Sequence, residues 1–314
     1  MGTIIAELCQ NHSGDRAVMR KMIRAAAEAG ADYAKIQTIR AEFLSHRPRF
    51  DEGVVENGVT KVIKRPYQAE YERLQQMDID MDDHRWFIGE CRAAGIKSMT
   101  TAFTRGVVDE LAAMDWDAVK VASYDCASFP LLCDLKSRFK KIFVSTGATY
   151  DEEIEQAADI LQGSDFTFLH CVTIYPTPLD KLDLSRIDYL KEFSPGVGFS
   201  DHTLVSRDGI KAAAAALHYG AETIERHFTI LGPNQTKDGP VSITPALLKE
   251  LVGLSRMTRE ELKEYIDAKV PEYETMIGDS RRQLSTGELL NRDYYRGRFA
   301  TKTPNGKTSY NWEA

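Results

Sequence analysis

Two histidines, His202 and His227, stand at the ends of consecutive β-rich segments and are the strongest candidates for metal ligands. Neutral imidazole, combined with carboxylate and water, suits Mn²⁺, Fe²⁺, Co²⁺ or Zn²⁺. Glu7 or Asp238 could supply the carboxylate. A single histidine is more often a hydrogen-bonded core residue, but two at the ends of neighbouring strands favour a shared ion.

The other five histidines are weaker candidates for metal ligands. His12, His46, His84 and His218 are expected in loops or at the surface, and His170 could either face a ligand or pack in the core.

Lysines and hydroxyl side chains form a second set at predicted strand ends, comprising Lys35, Lys120, Thr101, Ser123 and Ser145. A Schiff-base enzyme needs one lysine with a lowered pKa. Two lysines surrounded by hydroxyl groups are more typical of a cradle for phosphate or carboxylate. Alternatively, one of the lysines pairs with Glu7 or Glu225 as a structural ion pair, because lysine is seldom buried without a partner.

Eight short β-rich segments alternate with helical patterns and would position these side chains. The predicted strands are Thr3–Leu8, Tyr33–Thr38, Lys97–Ala102, Ala118–Ser123, Lys141–Thr146, Phe166–Cys171, Gly196–Asp201 and Thr223–Thr229. Helices predicted over Arg16–Ala29, Asp82–Ala94 and Ser206–Tyr219 each stop at a glycine. Strands separated by helices pair in parallel. Eight such units, without GxGxxG after the first strand, favour an α/β fold of the (β/α)₈ TIM-barrel type over an open doubly wound sheet.

Two segments fall outside this repeat. The connection 39–80 is unusually long and carries five basic residues that could attract an anion, namely Arg47, Arg49, Lys61, Lys64 and Arg65. The second segment is C-terminal. We therefore predict a catalytic barrel over residues 1–265 and a short extension over 266–314, without a complete second domain.

Composition narrows the classes of function. The 314 residues include 40 basic and 47 acidic side chains, giving a net charge of −7, which argues against a nucleic-acid binder. The sequence contains no apolar run of 18 residues, so we expect no membrane association. Five cysteines without a C-x-x-C pair suggest reduced thiols, and we expect a cytoplasmic protein.

The same residues belong to motifs that resemble the sialic acid synthase family, in order and spacing, over about residues 3–250. The most specific motifs are Tyr175-Pro176-Thr177-Pro178, Gly198-Phe199-Ser200-Asp201-His202-Thr203 and Ile224-Glu225-Arg226-His227-Phe228-Thr229. Further matches are Ile5-Ala6-Glu7-Leu8, Asn11-His12-Ser13-Gly14, Lys35-Ile36-Gln37-Thr38, Thr100-Thr101-Ala102-Phe103, Val119-Lys120-Val121-Ala122-Ser123 and Val144-Ser145-Thr146-Gly147.

This resemblance implies a metal-dependent condensation of phosphoenolpyruvate with an open-chain aldose. The product would be a 3-deoxy-2-ulosonic acid of the nonulosonic type, together with phosphate. It implies His202 and His227 as ligands of a divalent metal, most often Mn²⁺ with Mg²⁺ or Co²⁺ possible, and Glu7 and Asp238 beside the reacting groups. The implied phosphoenolpyruvate-binding residues are Lys35, Thr101, Lys120, Ser123, Ser145 and Ser200.

The expected substrate-binding residues are Gln37, Phe103, Tyr124, Asp125, Thr173, Tyr175 and Glu225. Family members often have Gly where Tyr124 stands, Asn where Thr173 stands and Pro where Ala102 stands, so the identity of the aldose stays open. The family's small C-terminal antifreeze-like domain, which reaches over the partner's site, has only a hinge-like counterpart over residues 292–298. The resemblance also implies a homodimer. Alternatives are a metal-dependent sugar aldolase or isomerase, or a non-catalytic barrel that binds a sugar or a partner.

Overall fold

The computed structural model describes residues 2–303 and 305–313 and contains a closed barrel of parallel strands. In chain order the strands are β1 (Thr3–Cys9), β2 (Tyr33–Thr38), β3 (Val54–Glu56), β4 (Val59–Val62), β5 (Lys97–Ala102), β6 (Ala118–Val121), β7 (Lys141–Ser145), β8 (Asp165–Cys171), β9 (Gly196–Asp201), β10 (Thr223–His227), β11 (Thr301–Lys302) and β12 (Thr308–Ser309). The barrel closes in the order β1-β10-β9-β8-β7-β6-β5-β2. The predicted (β/α)₈ barrel is confirmed, and its strand ends differ from the predicted ones by two residues at most.

Helices connect the barrel strands and cover the outside of the barrel. They are α1 (Arg16–Ala29), α2 (Arg49–Glu52), α3 (Tyr67–Gln75), α4 (Met81–Ala94), α5 (Val108–Ala112), α6 (Phe129–Lys136), α7 (Asp151–Leu161), α8 (Arg186–Lys191), α9 (Val205–Asp208), α10 (Lys211–Tyr219), α11 (Pro245–Leu254), α12 (Arg259–Lys269) and α13 (Thr286–Tyr295). Within residues 2–303 and 305–313, none of these helices has the length and apolar composition needed to cross a bilayer.

The helix predicted over Ser206–Tyr219 is instead divided into α9 and α10 at Gly209, whose φ is +55°. The carbonyl of Gly209 accepts a hydrogen bond from the Arg226 guanidinium at 3.3 Å, and that guanidinium also forms a fully buried ion pair with Asp201. The prediction of one continuous helix was wrong, because the positive φ of Gly209 does not fit a right-handed helix.

The prediction that His84 lies in a loop or at the surface was wrong. His84 is buried on α4, where the Thr38 hydroxyl contacts its Nε2 at 2.9 Å. His12 lies in the loop after β1, as expected, but it is buried rather than exposed. His170 faces the helices, and its Nε2 contacts the carbonyl oxygen of Leu182 at 2.6 Å, so it is a packing residue.

Gly198 marks the tightest point inside the barrel. A Cβ atom at this position would lie 2.3 Å from the carbonyl oxygen of Thr223 and 2.6 Å from Cδ2 of Leu169. Neither a strand carbonyl nor a buried leucine in a close-packed layer can move away at low cost. A residue without a side chain is therefore required where β8, β9 and β10 meet.

We expect Gly198→Ala to lower the free energy of unfolding by about 1–3 kcal/mol, because it overpacks the barrel interior. Gly253→Ala is the matched control, since a Cβ there meets nothing within 4 Å and alanine suits the α11 helix. Urea unfolding of both variants measures the difference. Equal stability of Gly198→Ala and the wild type would contradict this account of the barrel packing.

The long connection 39–80 packs against the C-terminal extension. Arg47 donates to the carbonyl oxygens of Asp293 at 3.2 Å and Arg296 at 3.1 Å, while Arg49 pairs with the Asp293 carboxylate. These two arginines therefore hold protein groups rather than a free anion. Of the five basic residues predicted to attract an anion, Arg65 lines the central cavity.

The C-terminal end of the extension also contacts the barrel. The boundary predicted at residue 265 falls inside α12, and the chain then crosses the carboxyl-terminal ends of the strands through α13. Asn311 donates from its side-chain amide to the carbonyl oxygen of Phe103 at 2.8 Å and to Asp125 at 2.9 Å. Ser128 donates to the same Asp125 carboxylate at 2.8 Å. Burial raises the pKa of Asp125 to about 6, although these two hydrogen bonds oppose the shift.

Asp125 should make folding stability depend on pH. Folded Asp125 holds its proton up to about pH 6, whereas the ordinary aspartate pKa is 3.8, so the folded chain binds the extra proton between these values. The stabilising contribution is complete below about pH 4 and is lost as the pH rises through about 6, a change of roughly 2–3 kcal/mol. Urea unfolding at pH 4 and pH 7 should show this loss in the wild type and not in Asp125→Asn. An identical pH dependence in both proteins would refute the assignment.

Candidate active site

A cavity of about 480 Å³ opens at the carboxyl-terminal ends of the barrel strands. Most residues predicted from the sequence line it, namely Glu7, Lys35, Gln37, Thr101, Phe103, Lys120, Ser123, Tyr124, Ser145, Tyr175, Ser200, His202, Glu225, His227 and Asp238. Asp125 and Thr173 are outside this lining. Asp125 is held by Ser128 and Asn311, and the backbone carbonyl of Thr173 accepts from the Asn291 amide at 2.7 Å.

Buried opposite charges occupy the floor of the cavity. Lys120 Nζ lies 3.1 Å from Oε1 of Glu225, and Lys35 Nζ lies 3.4 Å from Oε2 of the same carboxylate. Ser200 donates its hydroxyl to Glu225 at 2.8 Å, and Lys35 also pairs with Glu7. The two lysines and two glutamates are at most 5% exposed. Lys35 therefore pairs with both Glu7 and Glu225, and Lys120 pairs with Glu225.

The burial of these charges and their contacts shift the pKa values of Lys35 and Glu225. Burial lowers the pKa of Lys35 to about 7, with the Lys120 charge acting in the same direction and Glu225 opposing it. Burial alone would raise the pKa of Glu225, but Lys120, Lys35 and the Ser200 hydroxyl together hold it well below its usual range. Glu225 is thus an anion that fixes both ammonium groups at one point of the cavity.

Hydroxyl groups surround the lysines on adjacent strands. Thr101 accepts from Lys35 Nζ at 3.1 Å, and Ser123 accepts from the backbone N–H of Gly147 at 3.2 Å. The buried Ser145 hydroxyl has no hydrogen-bond partner among the described residues. A Cβ on Gly147 would lie 2.9 Å from the Ser123 oxygen, so this wall keeps its shape only with glycine there. The wall therefore presents hydroxyl donors to a ligand that occupies the cavity.

His202 and His227 face each other across neighbouring strands, with ring centroids 5.2 Å apart. Burial lowers the pKa of both histidines, most strongly for His202, where His227 adds to the effect. The Nδ1 atom of His227 is buried and has no hydrogen-bond partner among the described residues. Two neutral imidazoles with an unused ring nitrogen are the donors that a divalent first-row metal requires.

Cys9 is a member of this constellation that is absent from the residues predicted from the sequence. Its Sγ lies 2.9 Å from Oδ2 of Asp238, and donor atoms of Cys9, His227 and Asp238 all lie within 4.8 Å of one another. Alternation alone would put Cys9 on the same face as Ile5 and Glu7, but the β1–β2 register shifts between Glu7 and Cys9. The entry of Cys9 into the cavity therefore depends on a local irregularity that the sequence does not reveal. The residues present fit a divalent metal.

The C-terminal extension forms the outer wall of the cavity. Tyr295 of α13 stacks on Tyr124 with ring centroids 4.8 Å apart and planes 16° apart. Asn291 and Arg298 line the same wall. Sequence patterns could not predict this contribution, because no periodicity connects the extension to the barrel.

One edge of the cavity carries excess positive charge. Glu70 is surrounded by Arg73 at 2.8 Å, Lys237 at 3.8 Å and Arg298. These cations lower the pKa of Glu70 to about 2, against the effect of burial. Three cations around one carboxylate leave a positive surface, to which Arg65 adds, and such a surface attracts anionic substrates.

Comparison with known proteins gives consistent matches over most of the chain. The N,N'-diacetyllegionaminic acid synthase of Campylobacter jejuni is 29% identical over 327 residues, covering 99% of this chain and 93% of that protein. Spore coat polysaccharide biosynthesis protein SpsE of Bacillus subtilis is 30% identical over 304 residues, covering 95% of this chain and 78% of that protein. The crystal structure of N-acetylneuraminic acid synthetase from Leptospira borgpetersenii superposes with a TM-score of 0.70 at 25% identity, covering 93% and 90% of the two chains. The model of the NeuB family matches residues 22–267, which is more than half of the sequence, and the chain therefore belongs to the NeuB family.

Proposed function

We propose that this protein condenses phosphoenolpyruvate with an open-chain aldose to form a nonulosonic acid and inorganic phosphate. Family membership and the synthase names of its relatives support the reaction class. The observation that carries the proposal is a single cavity in which two lysines and several hydroxyls lie beside two neutral histidines. Cationic and hydroxyl donors bind phosphate and carboxylate, and imidazoles bind a metal that acts on an aldehyde.

Phosphoenolpyruvate would bind over the floor of the cavity. Lys35 and Lys120 provide the cationic donors, and Ser123, Ser145 and Thr101 provide hydroxyls on adjoining strands. Glu225 keeps the two lysines at a fixed separation before the substrate arrives, so no reorganisation is needed when charge develops. The same donors would receive the departing phosphate.

A divalent metal would be held by His202 and His227, and we propose Mn²⁺, with Mg²⁺ or Co²⁺ as alternatives. When bound, it supplies a Lewis acid that polarises the aldehyde oxygen. Asp238 lies at the same edge of the cavity, 2.9 Å from Cys9, where it can orient the aldose.

Carbon 3 of phosphoenolpyruvate attacks the aldehyde carbon, and water then adds to the cationic carbon 2. Glu7 would orient this water and take its proton, a role supported by the position of its carboxylate beside Lys35 on the cavity floor. In the resulting tetrahedral intermediate the bond between carbon 2 and the phosphate oxygen breaks as the carbon 2 hydroxyl gives up its proton to the phosphate, so that carbon 2 becomes a ketone and phosphate leaves towards the lysines. The proton taken from water would pass to the alkoxide formed from the aldehyde. Fixed donors around the leaving group lower the barrier to this step.

The aldose would occupy the outer part of the cavity. Gln37, Phe103 and Tyr175 come from the barrel, and Tyr124 carries the stacked ring of Tyr295 from the extension. This outer wall belongs to the same chain as the floor. We further propose a homodimer, on the basis of the family resemblance, in which each subunit has this wall of its own.

Incubation with Mn²⁺, phosphoenolpyruvate and a panel of aldoses tests the proposal. We expect phosphate release that depends on an aldose and yields a 3-deoxy acid, measured by a phosphate assay and mass spectrometry. His202→Ala and His227→Ala should each lower turnover at least about 100-fold, because loss of an imidazole removes metal affinity. His46→Ala is the matched control, since His46 is exposed and pairs with Asp51 outside the cavity.

Conversion of an aldose without phosphoenolpyruvate would contradict the synthase proposal and indicate an aldolase or isomerase. Unchanged turnover in both histidine variants would show that His202 and His227 do not take part in the reaction. Sugar binding that survives both substitutions, without any turnover, would indicate a non-catalytic barrel.

A further inference from the structure

We propose that Cys9 is a thiolate ligand of the divalent metal, in a site that it shares with His227 and Asp238 and that lies beside the His202 imidazole. The inference rests on the proposed function only for the presence of a metal in this cavity. It assigns a role to a residue that neither the family motifs nor the resemblance identifies.

The position of the Cys9 side chain is fixed by the backbone. The β1–β2 register shifts between Glu7 and Cys9, and Cys9 has a φ of +51°, which a residue other than glycine seldom adopts. Its backbone N–H donates to Glu7 Oε1 at 2.6 Å. The end of β1 is therefore held in an uncommon conformation that presents a thiol to the cavity.

The surroundings of the thiol are those of a metal site. Cys9 is 4% exposed, and its Sγ contacts Asp238 Oδ2 at 2.9 Å, within 4.8 Å of the ligand nitrogen of His227. Asp238 is partly buried, and its carboxylate faces the buried thiol of Cys9 and the buried imidazole of His227. Thiol, imidazole and carboxylate converging at one point, together with the unpartnered Nδ1 of His227, are better explained by a shared cation than by packing.

The other buried thiols provide a contrast. Cys91 and Cys126 are buried but belong to neither the cavity lining nor the cluster of possible ligands. Cys171 lines the cavity, with its Sγ 3.7 Å from Nδ1 of His202, but it is not a member of that cluster. Cys171 is thus the matched comparison for Cys9.

A thiolate ligand changes which metals the site prefers. Carboxylate and water suit Mg²⁺ and Mn²⁺, whereas thiolate and imidazole favour the later first-row ions. We therefore expect Co²⁺ and Zn²⁺ to bind more tightly than Mn²⁺ and Mg²⁺, and the preference for Co²⁺ over Mg²⁺ to depend on Cys9.

Titration of the metal-free full-length protein with Co²⁺, without phosphoenolpyruvate, tests the ligand directly. The wild type should show a thiolate-to-cobalt charge-transfer band in the near ultraviolet. Cys171→Ser should keep the band and Cys9→Ser should lose it, with Co²⁺ affinity reduced at least about tenfold. Mg²⁺ affinity should fall less than Co²⁺ affinity in Cys9→Ser.

Absence of the band from wild-type protein that has bound Co²⁺ would overturn the proposal without requiring any variant to fold. Persistence of the band in Cys9→Ser, or its loss in Cys171→Ser, would also overturn it. These results are independent of turnover. If the wild type lacks the band but still makes the 3-deoxy acid, Cys9 is not a metal ligand and the proposed reaction stands. If the wild type shows the band but has no turnover, Cys9 is a ligand and the proposed reaction is wrong.

Discussion

Two lysines and two glutamates are buried together in the barrel, and the geometry of the site depends on their mutual neutralisation. Each ammonium group would be too costly to bury alone, but Glu225 contacts both Lys35 and Lys120, and Glu7 contacts Lys35. Removing one partner from such a group leaves an unpaired buried charge at a cost of about 3–5 kcal/mol. The charges therefore hold one another where an anionic substrate can bind, and an apolar layer below them excludes water. That layer consists of Ile5, Tyr33, Met99, Ala118, Phe143 and Leu169.

The outer half of the cavity is built differently. The floor and the metal-binding residues come from barrel strands, whereas the outer wall comes from α13 and the connection 39–80, which are tied together by Arg47 and Arg49. Strand ends fix side chains firmly, and connecting segments vary more freely. We therefore propose that the barrel carries out the reaction and that the Tyr124–Tyr295 stack and the positive edge around Glu70 select the aldose.

Much of the barrel and of its site was predictable because both follow from local periodicity. Alternation along a strand places Lys35 and Gln37 on one face, and the order of strands in a barrel brings His202 beside His227. Long-range contacts were not predictable in this way. The helix break lies at Gly209, whose carbonyl contacts the distant Arg226, and Asp125 turns to Asn311 of the extension rather than to the cavity. Cys9 was not predictable by alternation, because the register shift after Glu7 sets its position, and a lone cysteine in a sequence does not reveal that Asp238 and His227 meet it.

Calorimetric titration of phosphoenolpyruvate into Mn²⁺-loaded protein examines the charged floor of the cavity without requiring the correct aldose. We expect saturable binding at one site per chain, with affinity reduced about tenfold or more in Lys120→Gln, where a charged hydrogen-bond donor is lost. If the metal-loaded wild type shows no saturable phosphoenolpyruvate binding, the two lysines do not form an anion-binding site.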